Sequence, residues 1–327
     1  MNITQIAKLA GVSSATVSRF LNDGYVSAEN REKIQKIIDE TGYIPSAHAK
    51  TLRTNKTNVI GVILPKISSA AVSSIVEGIS TQLGKTGYNV LLGNTDLNIE
   101  KEIEYLGLFK NKQVDGIIFV ATILTEKHYE VLKTIKVPIV IVGQEVEGYN
   151  CIYHDDFGAM YALTNAFIEK GHHKLAYIGV TTADKAAGES RRLGYEAALK
   201  AHQLPIDEAL IQEGAFSMTS GFEKMKVLHE SHKEIDGVLC ATDQIAIGAM
   251  EYMKESWQER LDTMSISGIG NTQSSKVVTP KLTSVKYYYE QSGEEAAKMI
   301  VAAQEDAAEP IQKIKLGFEL KVRESLR

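Results

Sequence analysis

Cysteine, tryptophan and proline are scarce: two, one and six residues among 327. Cys151 and Cys240 lie far apart and in no metal-ligand spacing. That excludes a disulfide framework and a cysteine-rich zinc site, and it points to a reducing, cytoplasmic setting. Long apolar runs are missing too. "VPIVIVG" (Val137–Gly143) is among the longest, well short of the roughly 20 residues that cross a bilayer. The opening "MNITQIAKLAG" has no basic segment ahead of an apolar core, so no secretory signal is read. There is no Gly-x-Ser-x-Gly elbow or other nucleophile motif. His229 and His232 are read as solvated helix residues rather than metal ligands. The expectation is a non-enzyme without cofactor or metal.

One stretch resembles a dinucleotide loop. "SISGIGNTQSS" (Ser265–Ser275) runs from a β-rich segment into Gly268-Ile269-Gly270. The dinucleotide fingerprint needs a third glycine, placed early in a strand–helix–strand unit, and an acid about 20 residues on. Here Gln273 takes the third position and the loop lies late in the chain, so the segment is read as the rim of another kind of pocket.

What the chain does have is an uneven charge. The net charge is −5, but residues 1–56 hold eight lysines and arginines against five acids, +3, which leaves −8 for the rest. A small basic head on an acidic body suits a tethered nucleic-acid binder. In the head, Asn2 and Gln5 form a capping-box pattern, and Ile3, Ile6, Ala7 and Ala10 mark one helical face before Gly11. Ser13 can cap a second helix with Val17, Phe20 and Leu21 inward, closed by Gly24. Ser27 can cap a third, Ala28 to about Thr41, ended by Gly42. Two helices around a glycine turn, braced by a third, form a helix-turn-helix, whose second helix enters the major groove by its first turn. Ser14, Ala15, Thr16 and Arg19 occupy that face, flanked by Ser13 and Asn22. Serine and threonine reach phosphates or base edges, alanine meets a thymine methyl, and arginine grips guanine O6 and N7. Pro45 then breaks the third helix, and Ser46 to about Leu52 reads as one short basic helix with Lys50 and Arg53.

"ITQIAKLAGVSSATVSRFLND" followed by "VSAENREKIQKIIDETGYIPSAHAKTLRTNKTNVIGVILP" resembles the LacI/GalR (lactose repressor) family of bacterial transcription regulators, and the likeness continues more sparsely to "LKVRESLR". The resemblance implies that residues 46–57 are a hinge helix, with Leu52 wedged into the minor groove, Ala49 packed nearby and Lys50 near the backbone. It also implies phosphate contacts from Tyr25, Ser27 and Asn30.

From Asn58 onward, β-rich and helical segments alternate through two successive halves, which implies parallel sheets covered by helices, with ligands beyond the carboxyl ends of the strands. The family resemblance makes these halves the two lobes of a periplasmic-binding-protein-like domain, residues 58–327 behind a helix-turn-helix domain of residues 1–45. It implies an N-lobe of about 58–158 and 288–312, a C-lobe of about 159–287 and 313–327, and crossings near 157–160, 284–288 and 312–316. A small ligand would sit between the lobes. Arg191, in the family's Arg-x-x-Gly-aromatic pattern "RRLGY", would bond sugar hydroxyls or an anion. Asp155 and Asp156 match the family's Asp-Asn segment, Phe216 would be an aromatic platform, and Thr242 stands where many members carry a ligand-binding Asn. Asp243 is expected to cap the following helix and is a second contact candidate. Ser69 and Ala70 precede the first N-lobe helix, whose amides could meet a hydroxyl or phosphate.

The departures are informative. "SSAAV" replaces the Asn-Pro-Phe-Phe of many relatives, which implies a wider pocket or an apolar contact from elsewhere. Gly270 stands where relatives have an Asp, with Asn271 beside it as a residue that could compensate. The expected effector is a sugar or sugar phosphate, guessed as a sucrose- or trehalose-type disaccharide. It would shift a homodimer between two states on a pseudo-palindromic operator. The rival readings are a global catabolite regulator docking a phosphorylated carrier protein and, more distantly, a sugar-binding protein without gene regulation.

Overall fold

The computed structural model describes residues 1–43, 56–111, 114–232, 234–305 and 310–327. The chain divides into two compact units, Met1–Asn58 and Val59–Arg327. Ala49, Lys50 and Leu52 lie outside the described residues.

The first unit is three helices, α1 (Ile3–Ala10), α2 (Ser14–Phe20) and α3 (Ala28–Thr41). Asn2 Oδ1 accepts from the Gln5 amide at 3.0 Å and Gln5 Oε1 from the Asn2 amide at 2.9 Å, so the capping box satisfies two otherwise unpaired donors. Gly11 turns the chain with φ 66°, in the left-handed region where glycine carries no Cβ penalty. Ser13 Oγ caps α2 by accepting from the Thr16 amide at 3.1 Å. Ile6, Ala7, Ala10, Val17 and Ile34 close a small core. Two details differ from expectation. Ser27 precedes α3 without a side-chain capping bond, and α2 stops at Phe20, with Asp23 in a left-handed turn before Gly24 is reached.

The second unit begins with β1 (Val59–Leu64), α4 (Ala70–Gly84), β2 (Asn89–Asn94), α5 (Ile99–Lys110), β3 (Gly116–Val120), α6 (Glu126–Leu132), β4 (Ile139–Val142) and β5 (Asn150–His154). It continues through α7 (Asp156–Glu169), β6 (Leu175–Val180), α8 (Arg191–Ala201), β7 (Ile211–Gly214), α9 (Met218–Ser231), β8 (Gly237–Cys240), α10 (Asp243–Ser256), α11 (Gln258–Leu261), β9 (Ser265–Ile269), α12 (Gln273–Val277) and β10 (Thr283–Tyr287). It ends in α13 (Tyr289–Glu305), β11 (Lys313–Leu316) and β12 (Phe318–Lys321).

The strands form two six-stranded sheets, ordered β11-β5-β4-β3-β1-β2 and β12-β10-β9-β8-β6-β7. All pairings are parallel except β10 with β12. The apolar runs follow from this arrangement, because a parallel strand covered by helices is buried on both faces. In β1, Ile60, Val62 and Leu64 enter the core under α4 and α13, while Ile63 enters the core under α5 and α6.

The lobes therefore exchange segments, and the first and last crossings fall at positions other than those implied by the family resemblance. β5 still belongs to the first sheet, whereas α7 packs its Ala159, Met160, Leu163 and Phe167 into the core of the second, so the first crossing falls at Asp155–Asp156. The second falls between β10 and α13. β11 pairs in parallel with β5, which places residues 313–316 in the first lobe and moves the last crossing to Gly317. The assignment of 313–327 as a block to the second lobe is corrected accordingly. This pairing satisfies the outer backbone groups of β5 and leaves the short β11 as the edge of that sheet.

Candidate functional site

A cavity of about 920 Å³ opens beyond the carboxyl ends of strands from both sheets. The first lobe lines it with residues after β1, β3 and β4, including Lys66, Thr122 and Gln144. The second lines it with residues after β6, β7, β8 and β9, including Asp184, Phe216, Thr242 and Asn271.

At its wall lies a buried ion pair. Arg191 opens α8 and is 7% exposed, and Asp156 opens α7 and is 6% exposed. Nε and Nη2 of Arg191 each lie 2.7 Å from Asp156 Oδ1, and Nη1 donates to the Ala241 carbonyl at 2.5 Å. Tyr287 donates its hydroxyl to the same Asp156 oxygen at 3.0 Å, and its ring lies 5.5 Å from the guanidinium carbon. Burial opposes the arginine charge, but Asp156 outweighs it and holds the pKa above the usual arginine value. A guanidinium has five N–H donors. Asp156, the Ala241 carbonyl and the Tyr289 hydroxyl engage most of them, and the remainder of the side chain lines the cavity.

Tyrosines and a histidine surround this pair. The His154 ring stacks on Tyr287 at 4.7 Å and meets Tyr289 edge-on at 5.1 Å. Burial pushes the His154 pKa down to about 4, so the ring is neutral. Asp184 caps the turn after β6 by accepting from the Ala186 and Ala187 amides, and Gln144 Nε2 reaches it at 2.9 Å from the other lobe. Burial raises the pKa of Asp184, against the pull of these donors.

Of the residues read from sequence, Ser69, Ala70, Asp156, Arg191, Phe216, Thr242, Asp243, Gly270 and Asn271 all line the cavity. Asp155 does not. Its carboxylate turns back to cap α7, accepting from the Gly158 amide at 3.2 Å, and lies 3.6 Å from Lys315. Thr242, not Asp243, caps α10, by accepting from the Ile245 amide. Asp243 instead ties down the loop after β9. Ser284 donates to its Oδ1 at 2.5 Å, and the amide and hydroxyl of Thr272 donate to Oδ2 at 2.7 and 2.9 Å. Asn271, read as a residue that could compensate, lines the cavity while its side-chain oxygen accepts from Arg323. A Cβ on Gly270 would stand 3.5 Å from Asp243 Oδ2, so a carboxylate remains beside the position where one was read as deleted. Sequence reasoning missed His154, Tyr287, Tyr289, Gln144 and Asp184. The run "KYYYE" (286–290) is the one local signal that could have drawn attention to part of this set.

In the first unit, Ser14, Ala15, Arg19, Asn22, Tyr25 and Ser27 are exposed, and Thr16 and Asn30 are half-buried. Tyr25 is 89% exposed. Ser13 is occupied as the α2 cap, bonded to both the amide and the hydroxyl of Thr16.

A family model described as periplasmic binding proteins and sugar binding domain of LacI family matches residues 57–320, and one described as bacterial regulatory proteins, lacI family, matches residues 2–46. The chain belongs to the LacI family. It is a DNA-binding transcriptional regulator with a helix-turn-helix head and a two-lobed α/β body. The sucrose operon repressor of Staphylococcus xylosus is 36% identical over 89% of this chain and 90% of its own. The regulator TreR of Escherichia coli is 30% identical over 95% of this chain and 96% of its own. Among solved structures, a complex of the regulator CelR with cellobiose matches with a TM-score of 0.77 at 25% identity, covering 99% of both chains. The lac repressor dimer bound to operator and the anti-inducer ONPF shares the fold, with a TM-score of 0.90 at 24% identity over 100% of this chain and 99% of that one. Among the described residues, no helix is long and apolar enough to cross a membrane.

Proposed function

We propose that this LacI-family chain is a cytoplasmic, non-enzymatic repressor of a carbohydrate-utilisation operon, and that a sugar or sugar phosphate held at Arg191 sets its operator affinity. The observation that carries this reading is Arg191 itself. Its charge is already balanced by Asp156, so a donor turned to the cavity suits a neutral hydroxyl oxygen, and Phe216 offers a ring face for the apolar side of a sugar. A relative named for the sucrose operon and a neighbour in complex with cellobiose support the ligand class. Lys66 and Lys276 line the same cavity without an ion-pair partner among the described residues, which would accommodate a phosphorylated sugar. Two copies sit on a pseudo-palindrome. Ser14, Ala15, Thr16 and Arg19 face the bases, and Tyr25, Ser27 and Asn30 face the phosphates. Ala49, Lys50 and Leu52 belong to the linker that meets the minor groove. Effector shifts operator affinity by the difference in its own affinity for the two states.

The test is calorimetric titration of the full chain with sucrose, trehalose and their 6-phosphates, paired with operator binding by fluorescence anisotropy at fixed salt. At least one sugar binds the wild type. Arg191→Gln weakens that binding roughly 30-fold or more, through lost charge-assisted bonds, while operator binding persists. Full-strength sugar binding by a folded Arg191→Gln variant would sink the assignment.

A further inference from the structure

The first lobe's contribution to the cavity includes a leucine in an uncommon backbone conformation. Asp96 and Leu97 have φ of 54° and 61°. The left-handed region crowds Cβ against the backbone, so glycine and asparagine adopt it far more readily than leucine. Core burial does not explain why a leucine is there, because Leu97 is 42% exposed and lines the cavity.

The segment is nevertheless fixed from both sides. The Leu97 amide donates to the Pro65 carbonyl at 2.8 Å and the Thr95 amide to the Leu64 carbonyl at 3.0 Å. The Thr95 hydroxyl is buried against Glu102, whose other carboxylate oxygen lies 3.1 Å from the buried His128. Asn98 then caps α5, accepting from the Lys101 amide at 3.0 Å. A strained conformation persists where its surroundings over-determine it, and such places cluster at ligand sites.

Across the same lobe's wall, Ser68, Ser69, Ala70 and Ala71 are small and leave space. Phe216 approaches the same cavity from the other lobe. We propose that Leu97 is the apolar platform for the second ring of a disaccharide whose first ring is held at Arg191, so that this side chain sets the preference for disaccharide over monosaccharide. The proposal rests on the effector reading above. Leu91 and Leu92 on β2 are also exposed, at 44% and 39%, but do not line the cavity. A subunit contact at this edge has those two residues available and does not require Leu97.

The experiment compares wild type, Leu97→Gly and Leu97→Asn by calorimetry with sucrose and trehalose, their 6-phosphates, glucose and fructose. Melting temperature and sedimentation are recorded for each protein. Glycine and asparagine accept this backbone conformation, so neither variant melts below the wild type. Disaccharide affinity falls roughly 5- to 30-fold, the scale of a lost leucine contact, while monosaccharide affinity stays within about twofold. Unchanged disaccharide affinity overturns the proposal. So does an equal loss for both sugar classes, or a loss that appears only with a change in sedimentation. If the wild type binds none of the four sugars and neither 6-phosphate, the effector reading falls first and this proposal falls with it, an outcome distinct from a binding wild type with indifferent variants.

Discussion

His154 illustrates how burial rather than residue type sets chemistry at the residue scale. Burial holds its folded pKa at about 4, below the 6.5 of a free histidine. The unfolded chain therefore binds a proton between those values that the folded chain refuses, and folding is penalised as pH falls through that window. The full contribution is present above pH 6.5 and lost towards pH 4, amounting to about 2 kcal/mol between pH 7 and pH 5. Asp184 and Asp243 act in the opposite direction, since burial raises their pKa values and acidification relieves that cost. The difference between wild type and His154→Phe in urea unfolding at pH 5, 6, 7 and 8 isolates the histidine. The wild type is expected to lose about 2 kcal/mol relative to the variant between pH 7 and pH 5, and almost nothing between pH 7 and pH 8; a gap that does not change with pH refutes the assignment. In the sequence His154 sits directly before the two acids that drew attention. Carboxylates advertise a function, whereas a neutral imidazole between tyrosines is recognisable only once Tyr287 and Tyr289 have been folded back beside it.

At the scale of elements, the helices of both lobes meet through reciprocal glycines. A Cβ on Gly78 of α4 would run into the Glu290 carbonyl of α13, and one on Gly293 of α13 into the Ile75 carbonyl of α4. The second lobe repeats the device: Gly221 of α9 faces the Ile245 carbonyl, and Gly248 of α10 faces the Met218 carbonyl. Gly107 of α5 has nothing within 4 Å of its would-be Cβ. Gly248→Ala is therefore expected to lower stability by about 1–3 kcal/mol through forced separation of the helices. Gly107→Ala is expected to raise it by up to about 1 kcal/mol through helix propensity. Thermal melts of the two variants decide this, and a shift of the same sign in both would count against the packing argument. The helices and strands were legible because apolar periodicity and turn residues mark them locally. Asn2 with Gln5, Gly11 and Ser13 were read correctly as caps and turn because a cap is settled within four residues. The close crossings were not legible, since a glycine in "AIGAM" reads as a propensity cost until the partner helix is known.

At the scale of the whole body, Gln144 joins the lobes. Its Nε2 donates to the Thr122 carbonyl at 2.7 Å within the first lobe and to Asp184 at 2.9 Å in the second. Gln144→Ala keeps the backbone and removes this tie. The ligand-free body is expected to widen, read as a larger radius of gyration in solution scattering. Effector affinity should fall about 2- to 10-fold as the competent state becomes rarer; identical scattering and affinity would show that the bond is incidental. Nothing in the sequence signalled it, because residues 40 positions apart with no shared pattern meet only after both sheets form. The same holds for β11. Its alternating "KIKL" is a plausible strand anywhere, and only the open edge of β5 decides its place. That edge has a consequence for how the protein is made. β5 ends at residue 154 and its outer neighbour begins at residue 313, so the first sheet waits, one strand short, while most of the second lobe leaves the ribosome. Closing a loop of that length is slow and leaves an aggregation-prone edge exposed meanwhile. Neither lobe is a contiguous stretch of gene, so neither can be expressed, swapped or inherited as a module, and the regulator's two halves must mature together.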